Sequence, residues 1–68
     1  MPEQRRLKAA LVEGGISQSE VAELLGITRE AFNKKLNGRI RFSLEEAFKI
    51  AKFLSRPIED IFLLKEFT

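Results

Sequence analysis

Ser17–Gly38 reads SQSEVAELLGITREAFNKKLNG, and the fold of the chain turns on how this stretch divides. Two short amphipathic segments meet at Leu25-Gly26-Ile27-Thr28. Ser17 and Glu20 have the spacing of a capping box, in which a hydroxyl and a carboxylate each satisfy an orphan backbone N–H. Ile16 and Val21 occupy the flanking positions of a hydrophobic staple. Val21, Leu24 and Leu25 recur at helical spacing and are expected to form one apolar face. Gly26 falls where the chain must turn, and glycine takes the left-handed conformation without a Cβ penalty.

The second segment, 28–37, opens on Thr28 as N-cap, with Ile27 and Phe32 at the staple positions. Its third residue is Ala31, so no carboxylate closes the first turn reciprocally. Only Phe32 and Leu36 are apolar and larger than alanine before Asn37-Gly38 ends the helix. The other positions are mostly polar: Arg29, Glu30, Asn33, Lys34, Lys35 and Asn37. So thin an apolar stripe packs one edge on a core and leaves a wide face outward. A helix, a tight turn containing glycine and a polar second helix make a helix-turn-helix, whose second helix enters the DNA major groove.

Charge is placed to match. The chain has 68 residues with 12 Lys and Arg against 10 Asp and Glu, a formal net charge of only +2. Between Arg29 and Arg41, however, stand the basic residues Arg29, Lys34, Lys35, Arg39 and Arg41 against the single acid Glu30. Positive charge is therefore concentrated in and just after the polar helix, as contact with phosphates requires.

These residues resemble the Cro and phage-repressor (XRE-like) helix-turn-helix family, with a lambda-repressor-like domain. The resemblance rests on Gln18 opening the first helix, Ala22 at the crossing, Gly26 in the turn, apolar Ile27 and Phe32, and Leu36-Asn37-Gly38. It continues through Phe42-Ser43-Leu44-Glu45-Glu46 and Pro57-Ile58-Glu59-Asp60-Ile61-Phe62, and so covers most of the chain. One departure is Lys35, which stands where many members carry an apolar residue, with Leu36 left to supply the packing. The resemblance implies a compact five-helix all-α fold with helices 2 and 3 as the motif. It also implies a sequence-specific double-stranded DNA-binding regulator of the repressor or Cro type, with base contacts from Arg29, Glu30 and Lys34. Gln18 would touch a phosphate and brace position 29, and pairing into a homodimer would use the C-terminal end.

The helical wheel adds its own assignments. With Phe32 pointing inward and successive residues turning by about 100°, Glu30, Asn33, Lys34 and Asn37 face away from the core, and Thr28 and Arg29 form the leading tip. Arg suits guanine, Glu accepts from cytosine and Asn suits adenine, so Asn33 joins the base-reading set. Glu30 has a second open role, orienting Arg29 through a salt bridge. Asn37, Arg39 and Arg41 are the candidates for clamping the DNA backbone, contacts that set register without reading sequence.

Outward from the motif, Pro2 to Glu13 reads as a first helix with Leu7, Ala10 and Leu11 on its inner face and Arg5, Arg6 and Lys8 outside, stopped by Gly14-Gly15. Its basic residues either touch DNA backbone or serve solubility. After Arg39-Ile40-Arg41-Phe42, Ser43 and Glu46 form a second capping box, and Phe42 and Ala47 a second staple. The helix Leu44–Leu54 is expected to turn Leu44, Ala47, Phe48, Ala51 and Leu54 inward. Pro57 suits the first position of a short last helix ending at Phe62. The remaining residues, 63–68, include Leu63, Leu64 and Phe67. With Ile61 these exceed what a short helix needs and mark a dimerisation tail, or else a cover for the chain's own core.

Composition narrows the function classes. One small domain, 1–68, is expected, without disulfides or cysteine-ligated metal because Cys is absent; His is absent too. Nucleophilic triads and common metal sites thereby lose their usual members. Glu45-Glu46 and Glu59-Asp60 fall in helix first turns, where acidic residues favour the dipole. No enzyme activity, metal, cofactor or small-molecule ligand is expected. No apolar run is long enough to span a membrane and MPEQRRLKAA lacks a signal-peptide core, so a cytoplasmic protein is expected. The competing reading is a helical protein-interaction module or antitoxin on the same fold, with weak DNA affinity. Salt-sensitive duplex binding separates the two, because phosphate contacts release counterions.

Overall fold

In the computed structural model, which describes residues 3–63, short polar and glycine signals bound five helices. They are α1 (Arg5–Gly14), α2 (Gln18–Leu25), α3 (Arg29–Leu36), α4 (Leu44–Leu54) and α5 (Ile58–Ile61). The described residues contain no strand. Three helices begin on hydroxyl caps: Ser17 Oγ accepts from the Glu20 N–H at 3.1 Å, Thr28 Oγ1 from Ala31 at 3.1 Å, and Ser43 Oγ from Glu46 at 3.0 Å. Only Ser43 and Glu46 close a full capping box, with the Ser43 N–H donating to Glu46 Oε1 at 2.9 Å. The box expected at Ser17 and Glu20 forms in one direction only, through the Ser17 hydroxyl.

Gly26 ends α2 at φ 71°, and its N–H and that of Ile27 return to carbonyls of α2. This turn brings α3 across α2, and the pair makes the most extensive contact between helices in the fold. The sequence boundary at Gly26-Ile27-Thr28 is therefore also the geometric corner of the motif.

The core runs through all five helices. Leu7 and Leu11 of α1, Val21 and Ala22 of α2, Phe32 and Leu36 of α3, Ala47, Ile50 and Ala51 of α4, and Ile61 of α5 are all buried. Phe42 sits in the connector and Phe62 just beyond α5. Phe42 bridges Phe32 and Phe62 edge-on, with ring centroids 6.0 and 5.3 Å apart, the arrangement favoured by the ring quadrupoles. Arg56 to Glu13 at 2.6 Å and Arg6 to the Glu59 carbonyl at 3.2 Å tie the C-terminal end back to α1.

Lys35 resolves the departure noted in the sequence. Its Nζ lies 3.0 Å from Glu46 Oε1, donates to the Arg41 carbonyl at 3.1 Å and stands 5.7 Å from the Phe42 ring centroid. Leu36, wholly buried, supplies the apolar packing. Lys35 thus fastens the end of α3 to the capping box of α4.

Several readings of the sequence need correction. The first helix starts at Arg5, with Gln4 as its N-cap, and runs through Gly14 to a left-handed Gly15, not from Pro2 to Glu13. On α4 the inward residues are Ala47, Ile50 and Ala51, with Leu54 partly buried, whereas Leu44 and Phe48 are 45% and 54% exposed. The helix is rotated so that Ile50 and two small alanines face the core, which leaves the bulkier pair on its flank. Leu24 likewise stays outside the core, 38% exposed, while Leu25 packs against it. Pro57 takes the N-cap position rather than the first helical one, and α5 stops at Ile61 with Phe62 extended. Ile61, assigned to a dimer surface, is 1% exposed and belongs to the core of its own chain. Leu63 is exposed; Leu64 and Phe67 lie outside the described residues, as does Pro2.

Two consequences for stability follow. Phe32→Ala is expected to cost ~3–5 kcal/mol, the usual penalty for emptying the site of a buried Phe, read as a lowered midpoint in denaturant unfolding. The second concerns Glu46. Partial burial pushes its carboxyl up, but the Ser43 backbone N–H and the Lys35 ammonium outweigh that and hold it below its usual 4.5. A carboxyl whose pKa is lowered by folding adds stability above its unfolded pKa and loses it as pH falls through the folded value. Melting followed from about pH 7 to about pH 3 should therefore show a steeper acid loss in the parent than in Glu46→Gln.

Candidate nucleic-acid interface

The inward pull of Phe32 and Leu36 leaves Arg29, Glu30, Asn33, Lys34 and Asn37 exposed along one side of α3. They border an open depression of about 610 Å³, lined by Gln18, Arg29, Glu30, Asn33, Lys34, Asn37 and Arg39. Each of these residues is one that the sequence singles out. The lining carries three cations, Arg29, Lys34 and Arg39, against the one carboxylate of Glu30. A concave, net-positive surface of this kind concentrates anions near it.

Arg39 reaches the depression because the chain reverses after α3. Its N–H and that of Ile40 both bond to the Lys34 carbonyl, at 2.9 and 3.4 Å, and Gly38 takes φ 80°. Thr28 and Arg41 lie outside the lining. Thr28 spends its hydroxyl oxygen as the α3 cap, which leaves its O–H hydrogen available as a donor. Arg41 is exposed, while its carbonyl is taken up by Lys35.

Amide side chains tie the surface together. Asn33 Nδ2 donates to Gln18 Oε1 at 3.4 Å, Asn37 Nδ2 donates to Asn33 Oδ1 at 3.1 Å, and Lys8 Nζ donates to Asn37 Oδ1 at 3.0 Å. Lys8 is itself held by Glu3, with Nζ to Oε1 at 2.8 Å. The hydrogen bond from Lys8, and then its charge, lower the pKa of the Glu3 carboxyl. Gln18 therefore braces Asn33, not position 29 as the family resemblance implies. Glu30 and Arg29 form no ion pair among the described residues.

Lys8, which the sequence leaves open between a DNA-backbone contact and a solvated group, is instead bonded into the amide row through Asn37. It meets the interface because α1 packs on α3 and the Gln4 N–H bonds to the Leu36 carbonyl at 2.8 Å. That contact joins residues far apart in the chain, and no local pattern around Lys8 signals it.

Among the described residues, no cluster of three or more His, Cys, Asp or Glu is arranged to hold a metal ion, and no helix is long and apolar enough to cross a membrane. The surface is suited to recognising a ligand by charge and hydrogen bonds.

Comparison with known proteins places this geometry. A family model described as helix-turn-helix matches residues 7–61. An uncharacterized HTH-type transcriptional regulator of Methanothermobacter thermautotrophicus is 46% identical over 55 residues, which cover 79% of this chain and 80% of that protein. Another, from Methanocaldococcus jannaschii, is 39% identical over 51 residues, covering 75% and 77%. Among solved structures, the restriction-modification controller protein C.AhdI from Aeromonas hydrophila matches with a TM-score of 0.76 at 27% identity, over 87% of this chain and 89% of that one.

Proposed function

The chain belongs to the helix-turn-helix family, and from that premise we propose that it is a sequence-specific regulator of transcription that lays α3 in the major groove of double-stranded DNA. The observation that carries this is the depression on α3: a net-positive surface whose lining consists of long polar side chains on a helix anchored from behind. The relatives named as transcriptional regulators, a non-enzymatic class, support the same reading.

Roles divide by position. Arg29, at the start of α3, has the length and forked donors to bond guanine O6 and N7. Glu30, unpaired with Arg29, is available to accept from cytosine N4, and Asn33 has the donor and acceptor that adenine requires. Lys34 reaches bases one turn further on, and Thr28 flanks the tip. Arg39 and Arg41, just past the helix, hold phosphates, with Gln18 and Asn37 beside them.

The narrower reading is a small cytoplasmic repressor of the Cro type, acting as a homodimer on a pseudo-palindromic operator. One recognition helix reads too few base pairs to select a site among ~10⁶–10⁹ competitors. Two-fold pairing doubles the readout and sets the two helices ~34 Å apart. With Ile61 in the core, the exposed Leu63 and the segment after it supply the C-terminal contact in this reading.

The deciding experiment selects duplexes from a random pool and compares variants on the selected site and on random DNA. Arg29→Ala should lower affinity for the selected site by ~1–3 kcal/mol with a smaller loss on random DNA. Arg39→Ala should weaken binding to both and reduce the salt slope by about one unit. A parent protein with no sequence preference and no salt dependence would refute the proposal. Removal of residues after Phe62 should abolish cooperative binding to the full site while half-site affinity is kept; retained cooperativity would move the dimer contact elsewhere.

A further inference from the structure

We propose that Lys8, on α1 and outside the helix-turn-helix, is a positioning residue for base reading: it sets the direction in which the Asn33 amide faces the DNA. The proposal rests on the DNA-binding reading of α3 and deepens it. Its basis is the chain of bonds Glu3–Lys8–Asn37–Asn33–Gln18, which crosses from α1 over α3 to α2.

An Asn side chain has an acceptor oxygen and a donor NH₂ of nearly equal size, so rotation by half a turn exchanges the two. A surface Asn is accordingly free to present either order. Lys8 removes that freedom, because an ammonium has three donors and no acceptor. It bonds only to the oxygen of Asn37, at 3.0 Å, and this turns the Asn37 NH₂ toward Asn33. Asn33 must then offer its oxygen to Asn37, at 3.1 Å, and its NH₂ to Gln18, at 3.4 Å. One donor-only group at the end of the row thus gives every amide in it a single polarity.

Glu3 completes the device. Its carboxylate is acceptor-only and lies 2.8 Å from Lys8 Nζ, so it draws the ammonium to one place and offsets its charge. The Lys8 side chain is also only 35% exposed. Lys8 therefore differs in role from Arg39: it is already paired within the protein before DNA arrives.

The polarity matters for recognition. With one lone pair given to Asn37 and one N–H given to Gln18, Asn33 keeps one acceptor and one donor in a fixed order. Adenine presents N6–H and N7 to the major groove as a donor and an acceptor in a fixed order as well. A preset amide matches that pair without first paying for its own orientation, whereas a flipped one opposes donor to donor.

Lys8→Met keeps most of the aliphatic stem and removes the donors. In the free protein, the side-chain NH₂ resonances of both Asn37 and Asn33 should shift, while the melting temperature stays near that of the parent. On DNA, the preference for the base pair that Asn33→Ala identifies should fall by about 5-fold or more, the low end of one bidentate contact's discrimination. Affinity for random DNA and the salt slope should hold, and the double variant should lose little beyond Asn33→Ala alone. Unchanged Asn33 resonances, or a uniform loss on all sequences with the salt slope reduced by about one, would overturn the proposal and make Lys8 a solvated group or a phosphate contact. Altered Asn33 resonances in a protein whose parent shows no sequence preference would instead refute the DNA reading and leave the relay standing.

Discussion

Phe32 buried against Phe42 is the contact on which the rest of the structure depends. A helix docked on a core retains one freedom that matters for recognition, rotation about its own axis. Phe32 and Leu36, one turn apart and both wholly buried, remove it. Phe42 presses edge-on against Phe32 and passes the contact to Phe62, so the stretch after the last helix also supports the orientation of α3. The Gly26 corner and the Thr28 cap fix where α3 begins. Together these leave one possible outward face, and it is the face that borders the depression.

Electrostatics follow the same division between inside and outside. A count along the chain credits Lys35 to the basic face, yet its ammonium faces Glu46 and the Arg41 carbonyl. Lys8, by contrast, lies outside the motif and still reaches into its polar surface. The cations left exposed around the interface are Arg29, Lys34, Arg39 and Arg41. Charge density read from sequence spacing therefore overstates the field by Lys35, and the structure shows where that charge goes.

Local signals were legible because they act locally. Ser17, Thr28 and Ser43 cap helices through bonds spanning three residues, and such bonds leave a mark in the sequence that needs no knowledge of the fold. The outward set on α3 was legible for a related reason: two large apolar residues fix a wheel. The wheel of α4 was ambiguous, because Leu44, Phe48, Ile50 and Phe53 are all large and apolar, and which of them faces in is decided by the neighbours that α4 meets. Ile61 misled in the same way, since an apolar residue near a terminus reads as surplus until the core it fills is seen. The amide row from Lys8 to Gln18 links three helices through side chains, and periodicity carries no trace of it.

The narrowness of the buried stripe on α3 bears on how such a domain diverges. Arg29, Glu30, Asn33 and Lys34 are all exposed, and substitutions at surface positions of this sort change stability by roughly 0.5 kcal/mol or less. The letters that meet the ligand can therefore be exchanged while Phe32, Lys35 and Leu36 stay in place and the fold persists. After a duplication, two copies need only a few such exchanges to part company, each keeping the same scaffold. Position 33 is the exception. Its amide bonds Gln18 on α2 and Asn37 at the end of α3, and Asn37 in turn bonds Lys8 on α1, so a change there drags these residues into new adjustments, and its drift should be the slowest of the four.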